Sequence, residues 1–330
     1  MAIARAIIPV IEAAGGRVLV GARVKSVAIE ADAGGGGGER AVGVVMEDGT
    51  FIPASFVVSG TGFIHTFTKL VALSPEQQRR LQLDVQGVLS HLGPGPRSDT
   101  QSVAYVFLFV GLKGSVSQLA LPSSNLWVWP HNDFSLMLKD YFDAPLSAPM
   151  PLFIAFGSSK DLAWERAHPQ HSTAIVLTFA RYEWFEKWAD QPCERRDAEY
   201  QAFKAKFGER LLHEGLLRHF PHLASAVDYT EVASPVTYNH YFDTGRGECY
   251  GLNVTARRFT QFGHRELHPR TPVNGLYLTG QDVCSLGFTG ALMSSLFSAS
   301  AVLGLPKMAS MLVPPLLFGD CAERVSSTKK

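Results

Sequence analysis

The chain has 330 residues, 46% of them hydrophobic and 18% charged, which supplies one large or two ordinary folded units and excludes global disorder. Thirty basic side chains cancel thirty acidic ones, so there is no broad electrostatic footprint for nucleic acid or an anionic membrane. The four cysteines, Cys193, Cys249, Cys284 and Cys321, form no CxxC pair, which excludes a zinc ribbon and a dense disulfide framework.

At the amino end, MAIARAIIPVIEAAGG puts Ile3, Ile7, Ile8, Val10 and Ile11 near one helical face, with Gly15 and Gly16 as the stop. It lacks the charged start and small-residue cleavage pattern of a signal peptide, and no stretch reaches the roughly 20 apolar residues of a membrane-crossing helix. The β-branched run RVLVGARVKSVAIE predicts a strand hairpin, and the tract Gly34 to Gly38 a loop insertion. AVGVVMEDGTFIPASFVVSG adds two strands, the first ending in a turn at Asp48-Gly49. SFVVSG then passes through Gly60 and Gly62 into a helix at GFIHTFTKLVAL, the layout of a parallel strand in an α/β layer. Residues 84–101, rich in Gly, Pro and Ser, predict a boundary between units.

Beyond that boundary, SVAYVFLFVGL alternates as a strand, PLFIAFGS and TAIVLTFA predict two more, and a long helix is predicted from about Arg195 to Phe220. GLYLTG reads as a short apolar strand and GFTGALMSSLFSASAVLG as a helix whose small residues let it lie close to backbone or ligand. The tail MLVPPLLFG is apolar, suited to packing or to dipping into a bilayer, and SSTKK reads as loose. There is no internal repeat, which excludes solenoids and propellers.

The segment most suggestive of chemistry is 274–304. A strand reaches Gly280, Asp282 follows, and a turn punctuated by Gly287 and Gly290 opens a helix whose free N–H groups point back to the same place. Such a turn suits a ligand that bears hydroxyls and a developing anion, and the same pattern also reads as a plain turn with a capping Asp. Gly60-Thr61-Gly62 is only part of a dinucleotide fingerprint, with His65 at the third glycine position, and reads as a tight turn. His168, His171, His213, His219 and His222 show no ligand spacing, and no nucleophile elbow is present, so neither a metal centre nor a hydrolase is expected. SPVTYNHYFDTGRGECYGL gathers Tyr238, His240, Tyr241, Tyr250 and Arg246 on a glycine-rich loop, able to wall a flat apolar pocket and supply a proton.

These segments, with PLFIAFGSSKDLAWERAHPQHST, YEWFEKW and SVAYVFLFVGLKGSVSQLALPSSN, resemble the retinol saturase branch of the FAD-dependent carotenoid isomerase and phytoene desaturase-like enzymes. The resemblance covers nearly the whole chain and implies an α/β (α+β mixed) fold. Residues 1–90 and 253–330 would be the remainder of a Rossmann-like FAD-binding domain, and 91–252 a mixed-sheet substrate domain. It implies FAD as cofactor, with Val24 toward the adenine, Gly280 and Asp282 by the ribityl chain, and Gly287, Phe288, Thr289 and Gly290 beside the flavin ring. The implied reaction is saturation of the C13=C14 bond of a retinoid by hydride from reduced flavin, with Tyr238 and Tyr250 as candidates for pocket lining or proton delivery. A carotenoid cis-trans isomerase, or a non-catalytic remnant that binds a lipophilic ligand, are the alternatives. The reductant stays open between NAD(P)H and a partner protein. The family's amino-terminal GxGxxG strand and acidic residue are not in this sequence, so the resemblance is to the carboxy-terminal part and implies a missing amino-terminal half. The expected location is peripheral to the endoplasmic reticulum membrane, with a plastid as alternative.

Overall fold

The structure, a computed structural model, describes residues 2–32, 38–93 and 101–308. In chain order the strands are β1 (Val24–Ala31), β2 (Glu39–Met46), β3 (Phe51–Pro53), β4 (Val57–Ser59), β5 (Ala104–Lys113), β6 (Leu126–Val128), β7 (Leu152–Ala155), β8 (His171–Ala180), β9 (Val227–Ala233) and β10 (Leu276–Leu278). They form three sheets, in the orders β1-β2-β3, β10-β4 and β6-β7-β8-β5-β9. The chain divides into two compact units, residues 1–94 with 254–330, and residues 95–253.

In the first unit the expected opening helix is present as Ala2–Ala13, followed by Gly15 at φ 81°. The expected hairpin within RVLVGARVKSVAIE does not form. Val18, Leu19 and Val20 stay exposed, and β1 starts at Val24 and pairs antiparallel with β2, an arrangement that buries Val27, Ala41 and Met46. A β-branched run forms a strand only where a neighbour can cover it. Residues 33–37, which include Gly34 to Gly37 of the glycine tract, lie outside the described residues. The Asp48-Gly49 turn is as expected, with Gly49 at φ 87° and the Thr50 N–H donating to Asp48 Oδ1 at 2.9 Å.

β4 and β10 pair in parallel, Val57 with Leu276 and Ser59 with Leu278. The helix Gly287–Leu303 packs on this pair through small side chains. Buried Ser298 donates to the Leu278 carbonyl at 2.8 Å, and Ser294 Oγ accepts the Gly280 N–H at 2.8 Å. Part of the expected boundary loop is instead a helix, Val85–Leu92, capped by Asp84, whose Oδ1 accepts the Gly87 N–H at 2.8 Å. Residues 94–100 lie outside the described residues, as do Cys321 and the apolar tail from residue 309 on.

In the second unit the five-stranded sheet is antiparallel throughout, not mixed as expected. β5 lies between β8 and β9, and its alternation divides the sheet into two faces. Val106, Leu108, Val110 and Leu112 are buried on one face, while Tyr105, Phe107 and Phe109 occupy the alternate positions. The predicted long helix runs as Ala198–Arg210 and continues in a π-type turn, Leu211–Leu217. Phe207, Leu211 and Leu216 join the sheet's core cluster. Gly208 and Gly215 set the approach of this helix, since a Cβ there would stand 2.6 Å from Val232 Cγ2 and 3.1 Å from Val176 Cγ1. Burying these side chains, at roughly 25 cal/mol per Å² of apolar surface, is the main force that holds the unit together.

Candidate functional site

In the first unit, parallel β4 and β10 bring two glycine turns side by side. The Thr279 N–H donates to the Ser59 carbonyl at 2.9 Å, and a Cβ on Gly280 would lie 3.5 Å from the Gly60 carbonyl oxygen. Gly62 and Gly280 have φ of 93° and 91°, a region that side-chain-bearing residues rarely adopt. Below them sits a hydroxyl cluster, with Ser59 and Thr66 2.7 Å apart and Thr66 donating to the Gly62 carbonyl at 2.7 Å.

Asp282 is only 4% exposed, and its Oδ2 accepts the Phe63 N–H at 2.8 Å. The first N–H of the helix after Gly62 is therefore occupied by a carboxylate, which argues against a phosphate in that turn. Arg258, buried beside this turn, donates to the Gln281 carbonyl. Burial lowers its guanidinium below the ordinary value, and the Asp282 carboxylate opposes that shift. The helix Gly287–Leu303 starts at the same turn, with Gly287 at φ 79° donating to Gln281 Oε1 at 3.1 Å, and its N-cap Leu286 offers no side-chain cap. Gly290 is packed so tightly that a Cβ would overlap the Ser285 carbonyl.

Of the residues expected to contact a cofactor, Gly280, Asp282, Gly287 and Gly290 converge here, while Phe288 and Thr289 are exposed on the first helical turn. Val24 begins β1 opposite Met46, in another sheet. Two contributors were not singled out for this site from sequence. Gly60-Thr61-Gly62 showed its glycines but not the strand it would pass, and Arg258 carried no pattern to separate it from a surface basic residue. The close glycine turns, the helix start without a side-chain cap and the buried cation are groups that could hold a ligand carrying partial negative charge.

In the second unit the sheet face opposite the core carries a run of aromatic rings. Trp127 stacks on Trp129 with centroids 5.5 Å apart and touches Phe153 at 4.6 Å, and Trp129 meets Phe179 at 6.3 Å. Phe179 meets Tyr105 at 5.4 Å, Tyr105 meets Phe107, and Phe107 lies parallel to Tyr238 at 6.1 Å. Trp127, Trp129 and Phe134 are 51%, 40% and 52% exposed, so this face is an open apolar surface. The helix Pro235–Phe242 brings in Tyr238, and the glycine-rich loop brings in Cys249 and Tyr250.

Burial pushes the Tyr238 phenol up to about 12, helped by its hydrogen bond to the Cys249 sulfur, and burial also pushes the Cys249 thiol up to about 12. Tyr105 is raised as well, chiefly by burial. All three hold their protons at neutral pH. Tyr250 packs edge-on against Tyr105 at 6.4 Å, and its N–H donates to Ser102 Oγ at 2.9 Å. Buried Glu248 shapes the loop by accepting from Gln101 Nε2 at 3.0 Å, the Gly245 N–H at 3.1 Å and the Arg246 N–H at 2.7 Å. Tyr238 and Tyr250 thus lie in one aromatic cluster. Trp127, Trp129, Phe153 and Phe179 were not singled out from sequence; for Trp127, Phe153 and Phe179 the signal is alternation along β6, β7 and β8, and Trp129, just beyond β6, carries none.

No protein-family model matches the chain. It is 32% identical over 309 residues to the all-trans-retinol 13,14-reductase of Danio rerio, covering 91% of this chain and 48% of that protein. It is 35% identical over 304 residues to the all-trans-retinol 13,14-reductase of Rattus norvegicus, covering 90% and 47%. A further Danio rerio protein, named inactive all-trans-retinol 13,14-reductase, is 30% identical over 308 residues, covering 90% and 47%. The chain spans about half the length of the curated relatives it matches.

Proposed function

We propose that the chain is the carboxy-terminal part of a flavin-dependent oxidoreductase acting on CH–CH bonds, which saturates the C13=C14 bond of all-trans-retinol or a related polyene. The observation that carries this reading is the similarity, along nine-tenths of the chain, to proteins named for that reaction. The open aromatic face suits a flat conjugated chain, since stacked and edge-on rings offer large apolar contact without hydrogen-bonding demands. Gly280, the start of the helix Gly287–Leu303 and Arg258 would hold the flavin ring, with the helix dipole and the guanidinium favouring negative charge there. A reduced flavin, when bound, supplies the hydride, and NAD(P)H is a suitable source of its electrons. Tyr238 keeps its proton at neutral pH and is the candidate acid for the second carbon, while Tyr250 lines the same wall.

The name of the inactive relative favours a second reading, a chain that binds the lipophilic ligand without reducing it. One experiment separates the two. The protein is incubated with excess FAD, gel-filtered and given retinol with a chemical reductant, with and without co-expression of the remaining half of a full-length relative. Retained flavin, and a product absorbing at shorter wavelength because one double bond has left the conjugated system, support the reductase. Retinol-dependent tryptophan quenching with no flavin and no product supports the binding protein, and absence of both flavin and quenching overturns both readings.

A further inference from the structure

The open ring surface of the second unit has two unlike ends. By register Trp127 stands opposite Phe153, Phe153 opposite Leu177 and Leu177 opposite Phe107, so these side chains form one row across β6, β7, β8 and β5. Its strand spacings make the row about 14 Å long. At one end Phe107 lies parallel to Tyr238, whose hydroxyl bonds the Cys249 sulfur, and Tyr105 brings in Tyr250, so this end carries phenols and a thiol. At the other end, on the edge strand β6, Trp127 lies parallel to Trp129, and Phe134 meets Trp129 at 5.2 Å with the ring planes at 90°. Asp133 caps the helix that begins at Phe134, its Oδ1 accepting the Leu136 N–H at 3.0 Å, which fixes where that ring stands. Two parallel indoles and a phenyl ring across them, all half-exposed, make an apolar corner that offers both a face and an edge to a bulky hydrocarbon group.

We propose that Trp127, Trp129 and Phe134 form the seat for the cyclic end of a retinoid, and that this corner selects a ring-ended polyene over an acyclic one. The choice of a retinoid rests on the proposed function; the direction in which it lies rests on the unlike ends of the row. A retinoid carries its hydrocarbon ring at one end of the conjugated chain and its hydroxyl at the other, next to the C13=C14 bond. About nine carbon–carbon bonds separate the ring from the hydroxyl-bearing carbon, and at about 1.2 Å of advance per bond they cover about 11 Å, which the row accommodates. With the hydroxyl among the phenols, C13=C14 comes to Tyr238 and the ring reaches the Trp129 corner at the sheet edge. An acyclic alcohol can follow the same row but has no bulky end to fill the corner, so it gains nothing from those three side chains.

The test uses the full chain with two probes, all-trans-retinol, followed by its own fluorescence, and geranylgeraniol, an acyclic alcohol of the same carbon number, followed by displacement of retinol. Trp129→Ala and Phe134→Ala, both at half-exposed positions, weaken retinol roughly tenfold and geranylgeraniol less than about twofold, and Trp129→Phe restores most of the retinol affinity. Far-UV dichroism matching that of the unaltered chain shows that the variants are folded. Retinol bound equally well by the unaltered chain and Trp129→Ala, or a loss shared by both alcohols, overturns the ring seat and leaves the proposed function standing. If the unaltered chain binds neither alcohol, the proposed function fails and the seat with it. Self-association, or binding to phosphatidylcholine vesicles, that Trp129→Ala abolishes while retinol affinity is unchanged gives the corner to a second copy or to a bilayer and overturns the proposal.

Discussion

Replacing Asp282 by alanine tests the centre of the glycine-turn site. The carboxylate accepts the Phe63 N–H at 2.8 Å inside the protein, and hydrogen bonds to charged groups contribute about 1.5–3 kcal/mol each. It also faces buried Arg258, and removing one member of a buried pair costs about 3–5 kcal/mol because a charge is left uncompensated. The two losses share one group and do not add, so Asp282→Ala is expected to cost about 3–5 kcal/mol. Asp282→Asn, which keeps an acceptor for Phe63 but removes the charge, is expected to cost about half of that. At about 2 kcal/mol per molar urea, the alanine variant moves the midpoint of its unit by about 2 M. The assay can be made specific to one unit, because all five tryptophans, Trp127, Trp129, Trp164, Trp184 and Trp188, lie in the unit 95–253. Far-UV dichroism should therefore show an early transition in the variant that tryptophan fluorescence does not follow. A dichroism shift below about 0.5 M would show that Asp282 is not the strut described, and an equal shift in both signals would show that its effect is not confined to its unit.

Gly290→Ala drives a methyl into the Ser285 carbonyl and should destabilise the same unit by more than about 2 kcal/mol, read by the same urea titration. Alkaline pH gives a prediction with a definite sign. Cys249, Tyr238 and Tyr141 have folded values near 12, raised mainly by burial, so between about pH 9 and 12 the unfolded chain has released protons that the folded chain still holds. Stability conferred by these groups is complete below about pH 9 and is lost as pH rises toward 12, which lowers the fluorescence-detected urea midpoint steadily from pH 9 to 11. A flat midpoint across that range contradicts the burial. Tyr238→Phe should lower retinol reduction at least about 100-fold if the phenol is the acid, with retinol-dependent quenching unchanged, and an unaltered rate assigns the proton to another donor.

What could be read from sequence followed the range of the interactions. Both glycine-terminated strands, SFVVSG and GLYLTG, were visible, as was the small-residue helix after the second, because strand length, apolar runs and stop residues are local properties. That Asp282 holds Phe63 was not visible, since the two stand 219 positions apart and no local spacing encodes the contact. Arg258 in ARRF looked like any surface basic residue until the fold buried it. The run at Val18–Val20 has strand propensity but remains uncovered, whereas the period-two pattern of β5 predicted a strand, and which of its faces packs the core and which carries the aromatic rings is visible only in the fold. The strand order that makes its sheet antiparallel throughout depends on connections that carry no pattern of their own.

The unit formed from the two ends of the chain cannot close until late in synthesis, because β4 must wait for β10, and every residue of the second unit is translated between them. The continuous unit 95–253 can pack as soon as it emerges, whereas the discontinuous unit has to hold Val57–Ser59 without its partner strand through that interval. At the point of insertion the outgoing and returning segments touch, Thr255 Oγ1 donating to the Leu92 carbonyl at 3.1 Å. The long excursion thus starts and finishes at one place, so a short bridge from residue 93 to residue 254 could close the discontinuous unit without its insert, turning the slow, non-local half of folding into an ordinary loop closure.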